Sequence, residues 1–327
     1  MDERLRRLLA AIAGLIAAGG LQGDPQVSAP GANDLPGVGV VTHSLNQASV
    51  DRLTDLGVGH VRYTLYWSNW GRADYRASFR RDIDRAVRAG LVPLVVVHQQ
   101  PSGGYANRER VYRDFAEFME ARAREFPQVR AWQLWNEMDV GFTDVFGAGR
   151  SDVSLRQRGR NYADMLHLTY PAIKRGNPQA VVVTGGLASG PRDGFLQGIY
   201  DRNGPFDVVG LHTYGFPVAR PFQVRGEEVR RVMRSNGDNR PIWVTEFGTS
   251  RRVIPPDWNV TRADIDRYHL EAWRDSFTFN DRAHLYGRVY GHALQQEGDE
   301  GVDLIRRDGS PRPAYTWLRE WTRQRAR

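Results

Sequence analysis

Two glutamates stand at the ends of two apolar runs, and they are the residues of this chain best suited to acid–base chemistry. The run at 132–137 reads WQLWNE and ends at Glu137, and the run at 241–246 reads PIWVTE and ends at Glu246. Runs that are apolar nearly throughout are typical of strands buried on both faces of a parallel sheet. In a parallel barrel, the carboxyl ends of the strands carry the active site.

Two carboxylates meeting at such a site are what hydrolysis of a glycosidic bond requires. One carboxylic acid protonates the leaving oxygen, and a second carboxylate attacks the anomeric carbon or activates water. Asn136 directly precedes Glu137, and its amide is suited to binding a sugar 2-OH. Either glutamate alone is explained as well by a salt-bridged residue at a strand end, so the prediction depends on the pair.

The elements that would position this pair alternate strand and helix from residue 37 onward. Strand patterns lie at 38–42, 60–65, 92–98, 131–136, 180–184, 207–212, 242–245 and 285–290. Helical patterns lie at 47–56, 76–89, 108–126, 157–175, 226–236, 262–279 and 314–323, with a weaker one at 191–201. Gly57 and Gly90 directly follow helical patterns, as left-handed C-caps do. The two glutamates fall on the fourth and seventh strands.

Eight strand–helix units predict an α/β fold, a single (β/α)8 barrel that takes up residues 37–327. The main competitor is an open doubly wound sheet, which usually carries a Gly-rich turn after its first strand. No such turn follows the strand at 38–42, and Gly185-Gly186 lacks the spacing of a dinucleotide-binding fingerprint. The pattern therefore favours the barrel.

Composition excludes several kinds of site and leaves the charge open to two interpretations. The chain of 327 residues contains no cysteine, which excludes disulfides, thiolate metal sites and cysteine nucleophiles. The net charge is +7, nearly all of it from arginine, because Lys174 is the only lysine. A GC-rich gene explains this, as does attraction to anionic polysaccharide or a negatively charged envelope. No basic run is interleaved with aromatics, so nucleic acid is not a predicted partner, and no motif predicts a metal or a cofactor.

The first 36 residues differ in character from the rest of the chain. Arginines precede a short apolar run within residues 1–23, which is the outline of a signal peptide; the alternative is an amphipathic N-terminal helix. Residues 24–36 are rich in Pro, Gly, Ala and Asp and predict a linker. We therefore expect a secreted or periplasmic protein without a membrane span in its mature form, or a cytoplasmic one if the segment is no signal peptide.

The pair and its surroundings resemble clan A of the glycoside hydrolases, the retaining (β/α)8 enzymes, over roughly residues 37–325. The clan carries Asn-Glu at the end of the fourth strand and a second glutamate at the end of the seventh, which match Asn136-Glu137 and Glu246. Further positions are similar to the clan's second-strand arginine, third-strand histidine and sixth-strand His-x-Tyr: Arg62, His98, and His212 with Tyr214.

This resemblance implies that Glu137 is the acid/base and Glu246 the nucleophile, and that no cofactor is needed. Within the clan, families 5 and 39 look most similar, with cellulase-like enzymes among them. Two positions depart from the pattern: Met138 follows Asn-Glu where proline is usual, and His292 follows the eighth strand where a sugar-stacking Trp is common. The first departure puts the geometry of the loop after Glu137 in question. The second puts the aromatic platform for the sugar ring in question.

Each supporting residue also has a purely structural interpretation. Arg62 could be an interior ion-pair partner, His98 a core histidine, and His212 and Tyr214 packing residues. Trp67, with Tyr66 and Trp70 beside it, could stack on a sugar ring or pack in a loop cluster.

Taken together, the residues predict a retaining hydrolase of a β-linked polysaccharide or oligosaccharide. The alternative is a non-catalytic barrel that binds carbohydrate or another envelope component.

Overall fold

The computed structural model describes residues 37–100, 103–140, 144–188, 194–215, 219–249, 261–295 and 303–326. The predicted signal segment at 1–23 and linker at 24–36 lie outside the described residues. Within the described ranges, no helix is both long enough and apolar enough to span a membrane.

Eight parallel strands form one sheet that wraps into a barrel. Their bounds are β1 Val38–Val41, β2 His60–Tyr66, β3 Val92–His98, β4 Ala131–Asn136, β5 Val181–Gly186, β6 Val209–Tyr214, β7 Ile242–Gly248 and β8 Arg288–Gly291. Each strand pairs with its neighbours in chain order, and β1 pairs with β8. Single parallel bridges, Val183 with Val208 and Leu187 with Leu211, join β5 to β6 and complete the ring.

Eight α-helices of the described residues surround the strands. They are α1 Gln47–Leu56, α2 Ala73–Arg88, α3 Arg108–Glu125, α4 Leu155–Gly176, α5 Phe195–Asp201, α6 Ala219–Ser235, α7 Arg262–Ala283 and α8 Pro313–Arg325. Capping residues mark the ends of α1. The Asn46 side chain accepts from the Ser49 N–H at its start, and Gly57 ends it in the left-handed conformation at φ 68°. The predicted (β/α)8 barrel is confirmed.

Alternation along the strands divides the core into two layers. Residues such as Val40, Val61 and Trp132 face outward and pack with the helices in the large core. Their strand neighbours face inward and form a smaller cluster inside the barrel: Val41, Leu94, Ala131, Val183, Val208, Trp243, Tyr290 and Ala293. Polar side chains replace this apolar filling toward the carboxyl ends of the strands, where the two glutamates lie.

Six of the eight strand predictions differ from the observed bounds by one to three residues, and the difference at the end of β7 bears on the site. The seventh strand was predicted to stop at residue 245, directly before Glu246, but β7 continues to Gly248. The eighth was predicted from 285, but β8 begins at Arg288. Glu246 is therefore held by strand pairing on both sides of its position.

Candidate active site

The structure brings the two glutamates together at the carboxyl end of the barrel. Glu137 directly follows β4 and Glu246 lies in β7, and one carboxylate oxygen of each lies within 4.8 Å of the other and of a His212 ring nitrogen. The Glu246 side chain is 11% exposed and that of Glu137 is 23% exposed. The two carboxylates therefore lie close together, with Glu246 the less exposed of the two.

Glu246 is surrounded by groups that favour its charged form. Arg62 Nη1 lies 2.6 Å from Glu246 Oε1, and the Tyr214 hydroxyl donates to Oε2 at 2.6 Å. Burial alone would raise the pKa of Glu246, but the charges of His212 and Arg62 and the Tyr214 hydrogen bond together hold it well below its usual range. Glu246 is consequently an ionised carboxylate at neutral pH.

Arg62 fixes this carboxylate because every arm of its guanidinium has a partner. Besides Glu246, Nε donates to Gln133 Oε1 at 2.7 Å and Nη2 donates to Asn136 Oδ1 at 2.8 Å. Gln133 in turn donates to Thr245 Oγ1 at 2.9 Å. These bonds tie β2, β4 and β7 together across the barrel interior, so the arginine is a positioning group as well as a counter-charge.

Gln133 was not predicted as a site residue, although a signal was present. It is the one amide in the otherwise apolar run at 131–135, and it is completely buried. A buried amide needs partners for its donors and acceptor. A lone polar residue at an inward position of a barrel strand is thus a useful sign of an interior network.

Glu137 has a different partner, the imidazole of His212. His212 Nδ1 lies 2.7 Å from Glu137 Oε1, and its Nε2 lies 3.7 Å from Glu246 Oε1. The ring itself is completely buried. His212 therefore stands between the two carboxylates and orients Glu137, while Arg62 and Tyr214 hold Glu246.

A β-bulge in β7 aims Glu246 into the barrel. Leu211 pairs with Val244 and His212 with Glu246, so β7 carries one extra residue, Thr245, at this point. Thr245 and Glu246 consequently both face inward, one toward Gln133 and the other toward Arg62. Without the extra residue, strand alternation would point one of them at the helices.

Two further histidines border the site and are held neutral by burial. His98 ends β3, and burial followed by the charge of Arg62 lowers its pKa to about 4. His292 directly follows β8, and burial lowers its pKa to about 4 as well. The His292 ring lies edge-on to Tyr214 at 5.9 Å and to His43 at 5.7 Å. His43 was not predicted as a site residue; its position just after β1 was the available signal.

Trp67 is the predicted sugar-binding residue that the structure places elsewhere. It is 8% exposed, and its ring packs against Phe115 at 5.2 Å, Phe118 at 5.6 Å and Trp135 at 6.5 Å. These partners belong to the layer between strands and helices. Trp67 is thus a packing residue. An aromatic ring buried among other aromatic rings is stabilised more than one exposed at the rim of the barrel.

Glu137, His212 and Glu246 are also close enough to hold a metal ion. The remaining contacts oppose that use. Both oxygens of Glu246 already have donors, one of them the positive guanidinium of Arg62 at 2.6 Å. A cation would have to displace these donors and approach a fixed positive charge, so the donor set favours chemistry by the carboxylates themselves.

Known proteins resemble this chain in fold and not in sequence. No family model matches the sequence, and no curated protein matches it. Among solved structures, one of two fungal β-1,4-galactanases is 15% identical, with 87% of this chain and 99% of that chain covered at a TM-score of 0.65. A β-glucosidase from Thermotoga maritima is 12% identical, with 88% and 97% covered at 0.64. A GH5-4 broad-specificity endoglucanase from Clostridium longisporum is 12% identical, with 85% and 86% covered at 0.62.

These likenesses extend over nearly the whole barrel at low identity, so they show a shared fold. They confirm the predicted resemblance to clan A glycoside hydrolases at the level of architecture. The choice between families 5 and 39 stays a prediction.

Proposed function

We propose that this chain is a retaining O-glycoside hydrolase. The observation that carries the proposal is the closeness of the two carboxylates, which have one oxygen each within 4.8 Å of the other. Retaining enzymes hold their carboxyl groups about 5–5.5 Å apart, whereas inverting enzymes leave room for a water at roughly 6.5–9.5 Å. The separation here suits direct attack by one carboxylate on the anomeric carbon.

The surroundings of each carboxylate assign its role. Glu246, kept ionised by Arg62 and Tyr214, attacks the anomeric carbon as the leaving oxygen departs and forms a glycosyl-enzyme intermediate. Glu137 gives its proton to that oxygen and then takes one from the water that hydrolyses the intermediate. Asn136, held by Arg62, lies next to this pair and is suited to binding the sugar 2-OH.

The substrate that we propose is a β-linked polysaccharide or oligosaccharide, with internal cleavage favoured. The solved structures of similar fold are named a β-1,4-galactanase, an endoglucanase and a β-glucosidase, and the first and third of these names state a β-linked sugar. Such a chain would bind at the carboxyl ends of the strands, where the two glutamates meet.

A non-catalytic carbohydrate-binding barrel is the competing function. It predicts that the protein binds a glycan and leaves it intact. A glycan array followed by product analysis of every bound glycan separates the two functions, because hydrolysis of any bound glycan excludes the binding-only protein. The depressed pKa of Glu246 beside a second carboxylate favours catalysis, since such arrangements are typical of working sites.

Azide tests the two glutamate roles separately. We expect Glu246→Ala to abolish turnover of an aryl β-glycoside, and added azide to restore it with a glycosyl azide of inverted configuration. Glu137→Ala should lower activity by about 10²–10⁴-fold, and azide should then give a product of retained configuration. The surface variant Glu227→Ala is the matched control, because that carboxylate accepts from Gln223 on an exposed helix face. Wild-type activity in Glu246→Ala would refute the nucleophile assignment.

A further inference from the structure

The turn that carries Glu137 is tied to helix α4 by one buried arginine. Arg158 is 8% exposed. Its Nη2 donates to two backbone carbonyls of the turn, the Met138 oxygen and, at 2.7 Å, the Val140 oxygen. These carbonyls belong to the first and third residues after Glu137, so a single guanidinium spans the segment directly after the acid/base glutamate.

This turn has a backbone that needs support. Glu137 has φ 48°, in the left-handed region that costs free energy for residues other than glycine. The Val140 N–H donates to the Glu137 carbonyl at 3.2 Å and closes the turn. Such a conformation persists only where surrounding contacts determine it, and in this chain they come from Arg158 and its neighbours.

The position after Glu137 makes the arginine more important. A proline is usual there in the families that this chain resembles, and its ring would restrict the backbone. Met138 has no such restriction. It is completely buried and lies against Gly185, where an added Cβ would come within 2.1 Å of the Met138 sulfur. Asp139 Oδ1 accepts from the Ala188 N–H at 3.0 Å and anchors the next residue to the β5 loop.

From this geometry we infer that Arg158 is a positioning residue for Glu137. The inference rests on the proposed function for its kinetic consequence, but the positioning itself is a property of the turn. Replacing Arg158 leaves two turn carbonyls without their donor and frees Glu137 to move relative to His212. Displacement of a reacting group by about 1 Å lowers rates by roughly 10²-fold.

The kinetic test uses leaving groups of different acidity with the variants Arg158→Gln and Arg158→Lys. A poor leaving group needs the proton from Glu137, whereas a dinitrophenyl group departs without it. We therefore expect kcat/KM to fall about 10–100-fold for the phenyl glycoside and by less than about threefold for the dinitrophenyl glycoside. Azide should raise kcat on the dinitrophenyl substrate, because its attack needs no general base.

Arg230→Gln is the matched control. Arg230 is also 8% exposed and also donates to a backbone carbonyl, that of Arg240 at 2.8 Å, but this carbonyl lies before β7 at the opposite end of the barrel. We expect this variant to lower kcat/KM equally, if at all, for both glycosides. An equal loss for both glycosides in the Arg158 variants would overturn the inference, because it would show general destabilisation.

A second readout does not need activity. The His212 Nδ1 resonance reports its contact with Glu137 Oε1 at 2.7 Å, so we expect the nitrogen NMR shifts of His212 to change in Arg158→Lys and to stay unchanged in Arg230→Gln. Unchanged shifts in the Arg158 variants would overturn the positioning role. Wild-type protein that hydrolyses no glycoside would instead refute the proposed function, and the NMR comparison would still decide the role of Arg158.

Discussion

Two identical side chains that lie close together acquire different chemistry from their neighbours. Glu246 has a guanidinium on one oxygen and a phenol on the other, and both groups stabilise a negative charge. Glu137 has a buried histidine as its partner and a larger exposed fraction. This difference suits Glu246 to act as an ionised nucleophile and Glu137 to donate a proton and recover it.

Tyr214→Phe tests how far the phenol supports Glu246. The hydroxyl donates to Oε2 at 2.6 Å and is one of the causes that lower the pKa of Glu246. Its loss removes a hydrogen bond to a charged group worth about 1.5–3 kcal/mol. We expect kcat/KM to fall roughly 10–100-fold and its acidic limb to move to higher pH, because Glu246 then protonates more easily. The measurement is the pH profile of kcat/KM.

Tyr200→Phe is the control for this substitution. The Tyr200 hydroxyl also donates to a carboxylate, Asp238 Oδ2 at 2.5 Å, but this pair lies beside the start of β7 and away from the site. The control should leave the pH profile in place. A Tyr214→Phe profile that coincides with wild type would show that the neighbouring charges, His212 and Arg62 among them, keep Glu246 ionised without the phenol.

At the scale of the elements, the sequence predicted strands better than it predicted their irregularities. The bounds of β3, β4 and α1 match the predicted 92–98, 131–136 and 47–56, because clear apolar runs and caps mark them. The bulge at Thr245 was not predictable, since it depends on the register between β6 and β7. The network around Gln133 depends on residues far apart in sequence, which periodicity does not relate to one another.

The two glycines at the end of β5 also have a role that depends on residues far away in the sequence. In the sequence, Gly185-Gly186 indicates no more than a glycine pair that lacks the spacing of a dinucleotide-binding fingerprint. In the fold, the pair makes room for the site: an added Cβ at Gly185 would meet Met138, and one at Gly186 would lie 1.9 Å from His212 Nε2. Which side chain occupies the space beside a glycine cannot be predicted from the sequence, because the neighbour comes from a distant segment.

Gly186→Ala tests this close approach. The added methyl cannot coexist with the His212 ring, so His212 must move and its contact with Glu137 at 2.7 Å must lengthen. We expect kcat/KM to fall by about 10²-fold, with the melting temperature lowered as well. Gly59→Ala is the control, because among the described residues no atom beyond its chain neighbours lies within 4 Å of a Cβ added there. Full activity in Gly186→Ala would mean that the position of His212 is not needed.

At the scale of the whole molecule, the barrel buries several histidines in neutral form. His60 is 1% exposed, and burial followed by the charge of Arg288 lowers its pKa to about 3. His98 and His292 have pKa values lowered to about 4. An unfolded chain binds protons at these positions near pH 6.5. The folded state therefore binds fewer protons than the unfolded state throughout the mildly acidic range.

This difference in proton binding predicts that the folded state loses stability as the pH falls. A depressed histidine pKa contributes stability that is complete above about pH 6.5 and declines as the pH falls toward the folded value, by about 1.4 kcal/mol per pH unit for each proton. For His60 alone the decline reaches roughly 3 kcal/mol at pH 4, a large share of the 5–15 kcal/mol typical of a domain. We expect urea unfolding of His60→Gln to show a smaller loss between pH 6.5 and 4 than wild type. Comparison at pH 8, where His60 is neutral in both states, isolates the packing cost of the substitution. Parallel curves over the whole range would show that His60 takes up a proton in the folded barrel as readily as in the unfolded chain.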